Sequence, residues 1–266
     1  MNIVAFDLDG TLGEFSQLGQ IFDILENNIN RSLKKSEFFS LLNIFHKYVR
    51  PDMFQILSFL EKMKKEKKCK KVVIYTNNQA PRTWAELIAS YLNHMIKSKV
   101  FTKVIATYML HGEIVEECRT TQDKTKNDLL NCLKLGSETK ICFIDDQEHV
   151  RMMENNVYYI KVNPYRYNYT YEEIIFKLKN SNFFRKLKLS ENQVKKLEIE
   201  ILSIQDKNLN YLMNDREKLN KIEIKNSKIL LGHLKKFFSK KSLTPITKKK
   251  KFSKKKGKNR TKKNKI

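Results

Sequence analysis

The residues best suited to chemistry stand at the start of the chain, in Asp7-Leu8-Asp9-Gly10-Thr11. They follow an apolar run, residues 3–6, that reads as a short buried strand. The strand is expected to end near Asp7 and the chain to bend at Gly10. Both acids then meet at the carboxyl edge of a sheet, where open α/β sheets bind ligands. Like charges so close repel unless a proton or a cation lies between them. Mg2+ suits the place, because it takes one or two carboxylates and leaves room for phosphate oxygens. Alone, Asp-x-Asp-Gly-Thr is equally a turn built from favoured turn residues.

Two other strong strands also end on polar groups. Residues 71–76 finish at Thr76 and lead into Asn77-Asn78, and residues 140–144 lead into Asp145-Asp146. Weaker strands are expected over 103–106 and 157–162. Helical spacing covers 53–64, 84–95 and 125–135, the last stopped by Gly136. Strands alternating with helices predict an α/β fold with a parallel sheet and right-handed crossovers, which places the polar strand ends at one edge. Residues 14–48 read as a helical insert in which Ser36 caps a second helix.

With this order of motifs the chain resembles the haloacid-dehalogenase-like phosphohydrolases over about residues 1–165. That family has an Asp-x-Asp-x-Thr motif, a strand-terminal Thr or Ser, a lysine, and an acidic pair after a later strand. A narrower resemblance rests on Arg50-Pro51, Ile74-Tyr75-Thr76 and Phe143-Ile144-Asp145-Asp146. These are similar to the NLI-interacting-factor-like phosphatases, which include phosphatases of the RNA polymerase II C-terminal domain. The segment 142–149 with Val157-Tyr158-Tyr159-Ile160 is nearest to members encoded by large DNA viruses. Two departures stand out: Gly10 where that group usually has Glu, and a helical insert where the polymerase phosphatases carry a strand-rich flap.

The resemblance implies a three-layer Rossmann-like sheet with a minimal or small helical cap and a Mg2+-dependent phosphatase acting through an aspartyl-phosphate. Asp7 would be the nucleophile, and Asp9 the acid and then the base. Asp7, Asp9 through its carbonyl, Asp145 and Asp146 would hold the metal. Thr76 would bind phosphoryl oxygens with backbone N–H groups near Asn77. A lysine would neutralise transition-state charge: Lys124 at the loop-to-helix junction is preferred, with Lys126 the alternative. Each residue also has a plainer reading. Thr76 suits any strand end, Asp145-Asp146 could cap a helix, and a lysine is usually solvated. His149 is expected to be exposed or packed rather than a catalytic neighbour. Trp84 either lines a substrate mouth or packs in the core or rim, and Arg50 and Arg82 could bind substrate anions, with surface pairing the default.

The 266 residues carry a net charge of +24, most of it after residue 234. The domain reading is an α/β body over 1–180, a helical extension over 181–240, and a disordered Lys-rich tail over 241–266. The extension reads as a helical hairpin, a short coiled coil or helices packed on the body. The lysine runs of 248–263 read as a nuclear-localisation signal or a polyanion-binding patch, with 242–266 a candidate nucleic-acid contact, or as a solubilising end. Cys69, Cys118, Cys132 and Cys142 lack metal or disulfide spacing, so reduced thiols in a cytoplasmic or nuclear protein are expected. No apolar run reaches the ~18 residues of a membrane span, and the first strand leaves no room for a signal peptide. A phosphoprotein substrate leads. The alternatives are a phosphatase of nucleic-acid ends and a non-catalytic scaffold.

Overall fold

The structure, a computed structural model, describes residues 1–204 and 216–239. Five strands form one parallel sheet: β1 (Asn2–Phe6), β2 (Lys71–Tyr75), β3 (Phe101–Ile105), β6 (Lys140–Asp145) and β7 (Val157–Lys161). Their spatial order is β3-β2-β1-β6-β7, so β1 lies in the middle, paired with β2 and β6. A central strand of a parallel sheet is covered on both faces, which is why residues 3–6 form an unbroken apolar run. Side chains alternate between faces. Val4, Phe6, Val72, Ile74, Cys142 and Ile144 enter one core, while Ile3, Ala5, Val73, Tyr75, Ile141 and Phe143 enter the other. The fold is α/β and Rossmann-like, with helices on each face of the sheet.

The larger core receives α1 (Ser16–Ile29), α2 (Lys35–Ile44), α3 (Met53–Lys65) and α4 (Arg82–Met95). The expected insert over 14–48 therefore shares the body's core, through Leu18, Ile21, Leu25, Phe38, Leu41 and Leu42. Trp84 is a packing residue, its ring 5.6 Å from those of both Phe22 and Phe38. Ser36 is not the cap of α2. That helix begins at Lys35, and Glu37 accepts the Lys34 N–H at 2.7 Å. The smaller core is closed by α5 (Lys126–Leu133). This helix stops before Gly136, because Lys134 takes the left-handed conformation at φ 54°. A short antiparallel hairpin, β4 (Met109–Leu110) with β5 (Glu113–Ile114), turns through His111 and Gly112, both at positive φ as a two-residue turn requires. Its strands are too short to show an alternating pattern in the sequence.

The extension packs on the body rather than standing apart. After α6 (Tyr171–Lys179) and α7 (Asn182–Leu187), α8 (Glu191–Ser203) lies along α1, buries Leu197 and Ile201, and places Glu200 2.6 Å from Asn28. The last helix among the described residues, α9 (Arg216–Phe238), buries Leu230, Leu234 and Phe237 in the same core. Its His233 hydrogen-bonds Tyr158 at 2.8 Å. The expected disordered tail over 241–266 lies outside the described residues. No helix among those described is long and apolar enough to cross a membrane.

The expectation that all four cysteines are reduced is overturned. Cys118 and Cys132 form a disulfide, with Cα atoms 4.9 Å apart, while Cys69 and Cys142 are buried free thiols. Spacing in the chain concealed the pair, because it joins a loop to the last turn of α5. Asp128 brings the two together by accepting Thr120 N–H at 3.1 Å and its hydroxyl at 2.9 Å. A closed loop of this size is worth about 3 kcal/mol by chain entropy. Cys118→Ser/Cys132→Ser is therefore expected to lower Tm by roughly 6–12 °C, read by thermal unfolding. Added reductant should produce the same loss in the wild type and none in the variant.

Candidate active site

The parallel sheet delivers Asp7, Thr76 and Asp145 to one edge, because each follows or ends a strand running the same way. Asp7 N–H donates to Ile144 O at 2.9 Å and Thr76 N–H to Ile105 O at 3.0 Å, so both are held by neighbouring strands. Beyond β1 the chain coils into a tight turn. Leu8 O accepts from Leu12 N–H at 2.8 Å, and Gly10 N–H donates to Gly13 O at 2.7 Å. Gly10 sits at φ +73°, and a Cβ there would come 2.7 Å from Asp146 Oδ2. Only glycine combines that backbone with that approach.

Carboxylate oxygens of Asp7, Asp145 and Asp146 all lie within 4.8 Å of one another. Lys124 is buried against two of them, with Nζ 2.5 Å from Asp7 Oδ1 and 2.7 Å from Asp145 Oδ2. Lys126, the first residue of α5, points elsewhere and donates to Asn155 O at 2.8 Å. Lys124 is fixed through its neighbour: the Tyr75 hydroxyl accepts Thr125 N–H at 3.0 Å, and Thr125 Oγ1 caps α5 by accepting Asp128 N–H.

Thr76 is buried, with its hydroxyl accepting Asn78 N–H at 3.1 Å and its proton left to donate. Asn77 turns its side chain away, donating to Gln122 O at 2.9 Å. Asp9 does not join the three-carboxylate cluster by its side chain. Oδ2 accepts from Asn78 Nδ2, and Oδ1 is buried without a partner.

Burial opposes the Lys124 ammonium, yet Asp7 and Asp145 more than offset it and hold its pKa above the ordinary lysine value. Burial also raises Asp145, but His149 and Lys124 outweigh it and keep that carboxyl low. His149 Nε2 lies 3.3 Å from Asp145 Oδ2. The other acids go up. Burial is the first cause for Asp7, against Lys124, and for Asp146, where the charge of Asp145 adds. Asp9 is pushed up to about 7, by burial first, against its Asn78 hydrogen bond and with the charges of Asp7 and Glu14 adding. One lysine thus under-compensates the three clustered acids. A hard divalent cation fits that deficit and that all-oxygen donor set.

Two contributors carry no signal in the sequence, and a third, Arg50, lies elsewhere than expected. Asn78 fixes Asp9 and is visible only as the second residue of an Asn pair. Arg119 is buried over the Tyr75 ring at 4.8 Å and donates to Thr76 O, Ala106 O, Gln122 O and Asp123 O, which ties the Thr76 turn to the Lys124 loop. Nothing in its neighbourhood of the chain signals this. Arg50, expected on the surface, is buried: Nε donates to Thr11 O at 2.8 Å, Nη2 to Gly10 O at 2.5 Å and Asn163 O at 2.6 Å, and Nη1 to Glu223 at 2.9 Å. It braces the Asp7–Thr11 turn from behind. Arg82 does pair, with Glu86 at 2.8 Å and with buried Glu116 at 3.2 Å.

Such a site, with a carboxylate in an acidic cluster suited to a cation, a buried ammonium and a second carboxyl able to carry a proton, has the parts for nucleophilic and acid–base chemistry on an anionic ester. No protein-family model, curated protein or solved structure matches the chain.

Proposed function

We propose that the chain is a Mg2+-dependent phosphomonoester hydrolase of the haloacid-dehalogenase type. The observation that carries this is the gathering of Asp7, Asp145 and Asp146 around one point, with Lys124 bridging two of them. Asp7, Asp145 and Asp146 would hold the metal, with the Asp9 carbonyl as in the resembled family. Bound there, Mg2+ supplies charge neutralisation for a phosphoryl group.

The chain's own residues supply the remaining steps. Lys124 engages Asp7 Oδ1, which leaves Oδ2 to attack phosphorus as a carboxylate. As the phosphorus–oxygen ester bond breaks, the Asp9 carboxyl gives its proton to the leaving oxygen. The product is an aspartyl-phosphate. The Asp9 carboxylate then takes a proton from water, whose oxygen attacks the same phosphorus and releases phosphate and free Asp7. The Thr76 hydroxyl and Lys124 stabilise the oxygens that gain charge. A substrate panel of phosphoserine and phosphothreonine peptides beside 3′- and 5′-phosphorylated oligonucleotides resolves the ester class.

The raised Asp9 carboxyl sets the pH profile. Below about 7 it holds the proton that the first step needs. Above that value the protonated fraction falls tenfold per pH unit, and p-nitrophenyl phosphate kcat/KM is expected to fall with it. Asp9→Asn should lose that alkaline limb together with ~10²–10⁴-fold of rate. A wild-type profile flat from pH 5 to 9, or activity unchanged by EDTA, counts against the proposal.

A further inference from the structure

We infer that the outer face of α9 binds the phosphate backbone of duplex nucleic acid without reading sequence. The inference is independent of the hydrolase reading. At about 100° per residue, Lys218, Lys225, Lys228, Lys235 and Lys236 fall in one arc of roughly 100°. All five are exposed. The arc lies diametrically opposite the residues that seat the helix, namely Glu223, Ser227, Leu230, Leu234 and Phe237. Of these, Glu223 pairs with Arg50 and Ser227 donates to Pro51 O at 2.6 Å, while Leu230, Leu234 and Phe237 are buried. The inner face therefore locks the helix to the body and turns the lysines to solvent in a fixed row.

The charge on that row is one-sided. From residue 224 to residue 266 the sequence holds 18 Lys and Arg and no Asp or Glu. Glu223 is the last acid in the chain, and it faces inward to Arg50. The surface lysines of α3 and α8, by contrast, include several in i,i+4 pairs with glutamates, such as Lys65 with Glu61 and Lys196 with Glu200. Between Lys218 and Lys236 no acid stands on that arc, Glu217 lying one residue before it, and such a lysine face attracts polyanions and releases their counterions on binding.

Geometry narrows the polyanion. The row from Lys218 to Lys236 spans about 27 Å at 1.5 Å per residue, close to one ~34 Å turn of a duplex. Single strands are held by aromatic platforms, yet in α9 Phe237 is buried and Phe238 packs on Phe59. An anionic membrane is held by a helix that sinks its apolar face into the interface, yet the apolar face of α9 is already used against the body. Leu219, Ile222 and Ile229 stay exposed on α9, too few to seat it in lipid.

The test uses the full chain and a fluorescein-labelled 20-base-pair duplex of arbitrary sequence, followed by anisotropy between 50 and 200 mM salt. A variant with Lys218, Lys225, Lys228, Lys235 and Lys236 all changed to Gln is expected to bind at least tenfold more weakly at 100 mM. Its slope of log K against log salt should be shallower by about 4, near 0.9 for each phosphate no longer neutralised. Its Tm and its p-nitrophenyl phosphate turnover should match the wild type, which separates weakened binding from failed folding. Duplexes of unrelated sequence should bind alike. Wild-type affinity and slope in a folded variant overturn the proposal. So does tighter binding to the single-stranded 20-mer, or to 4:1 phosphatidylcholine–phosphatidylserine vesicles, than to the duplex.

Discussion

Asp7→Asn is expected to lower p-nitrophenyl phosphate turnover by on the order of 10⁴-fold or more while leaving the fold intact. The amide keeps the shape of the carboxylate but cannot attack phosphorus. It also removes one negative charge from a cluster in which burial already raises Asp7 and Asp146. Lys124 retains Asp145 at 2.7 Å, so no buried ammonium is left unpaired and Tm should change little. That separates chemistry from stability, since a nucleophile can be lost without a folding defect. The two lysines sharpen the result. Lys124→Met should be severely impaired because it strips the bridging ammonium from Asp7, whereas Lys126→Met should stay within about twofold, since its Nζ bonds a distant carbonyl. Full turnover in Asp7→Asn would remove Asp7 as the nucleophile and with it the proposed reaction.

The second large effect is on stability. Arg50→Met is expected to destabilise the protein by about 3–5 kcal/mol, the range for breaking a buried pair by removing one partner. Thr11 O and Asn163 O lose their donor, Gly10 O keeps only the Tyr165 N–H, and Glu223 is left on α9 without its cation. At roughly 2–4 °C per kcal/mol for a chain of this size, Tm should drop by about 10 °C. A second substitution, Glu223→Leu, removes the stranded charge. The double variant should then be more stable than the sum of the two single losses. Strict additivity would mean that Arg50 and Glu223 are not coupled. Since Arg50 also braces Gly10 and Thr11, activity should fall in Arg50→Met even well below its Tm.

These two outcomes bear on different levels of the molecule. Asp7 lies where three strands end, whereas Arg50 lies one layer behind, where the Asp7–Thr11 turn meets α9. The path from α9 through Glu223 and Arg50 to Gly10 makes the extension part of the body's support.

The local pattern of the chain was enough to determine the strands and the edge they share. Residues 3–6, 72–75 and 141–144 are apolar runs that a sheet covered on both faces buries, and chain order then sends Asp7, Thr76 and Asp145 to one side. The choice between Lys124 and Lys126 required tertiary structure, because two residues of offset at a helix start reverse the direction of a side chain. The same holds for Arg50 and Arg119, whose acceptors are carbonyls distant in the chain or in irregular turns, groups that every residue has and no motif marks. The Cys118–Cys132 bridge was hidden for a like reason: separation along the chain says little about distance once a loop folds back on a helix. Periodicity reports which face of an element is apolar. Which polar groups meet across elements is decided only when those faces pack.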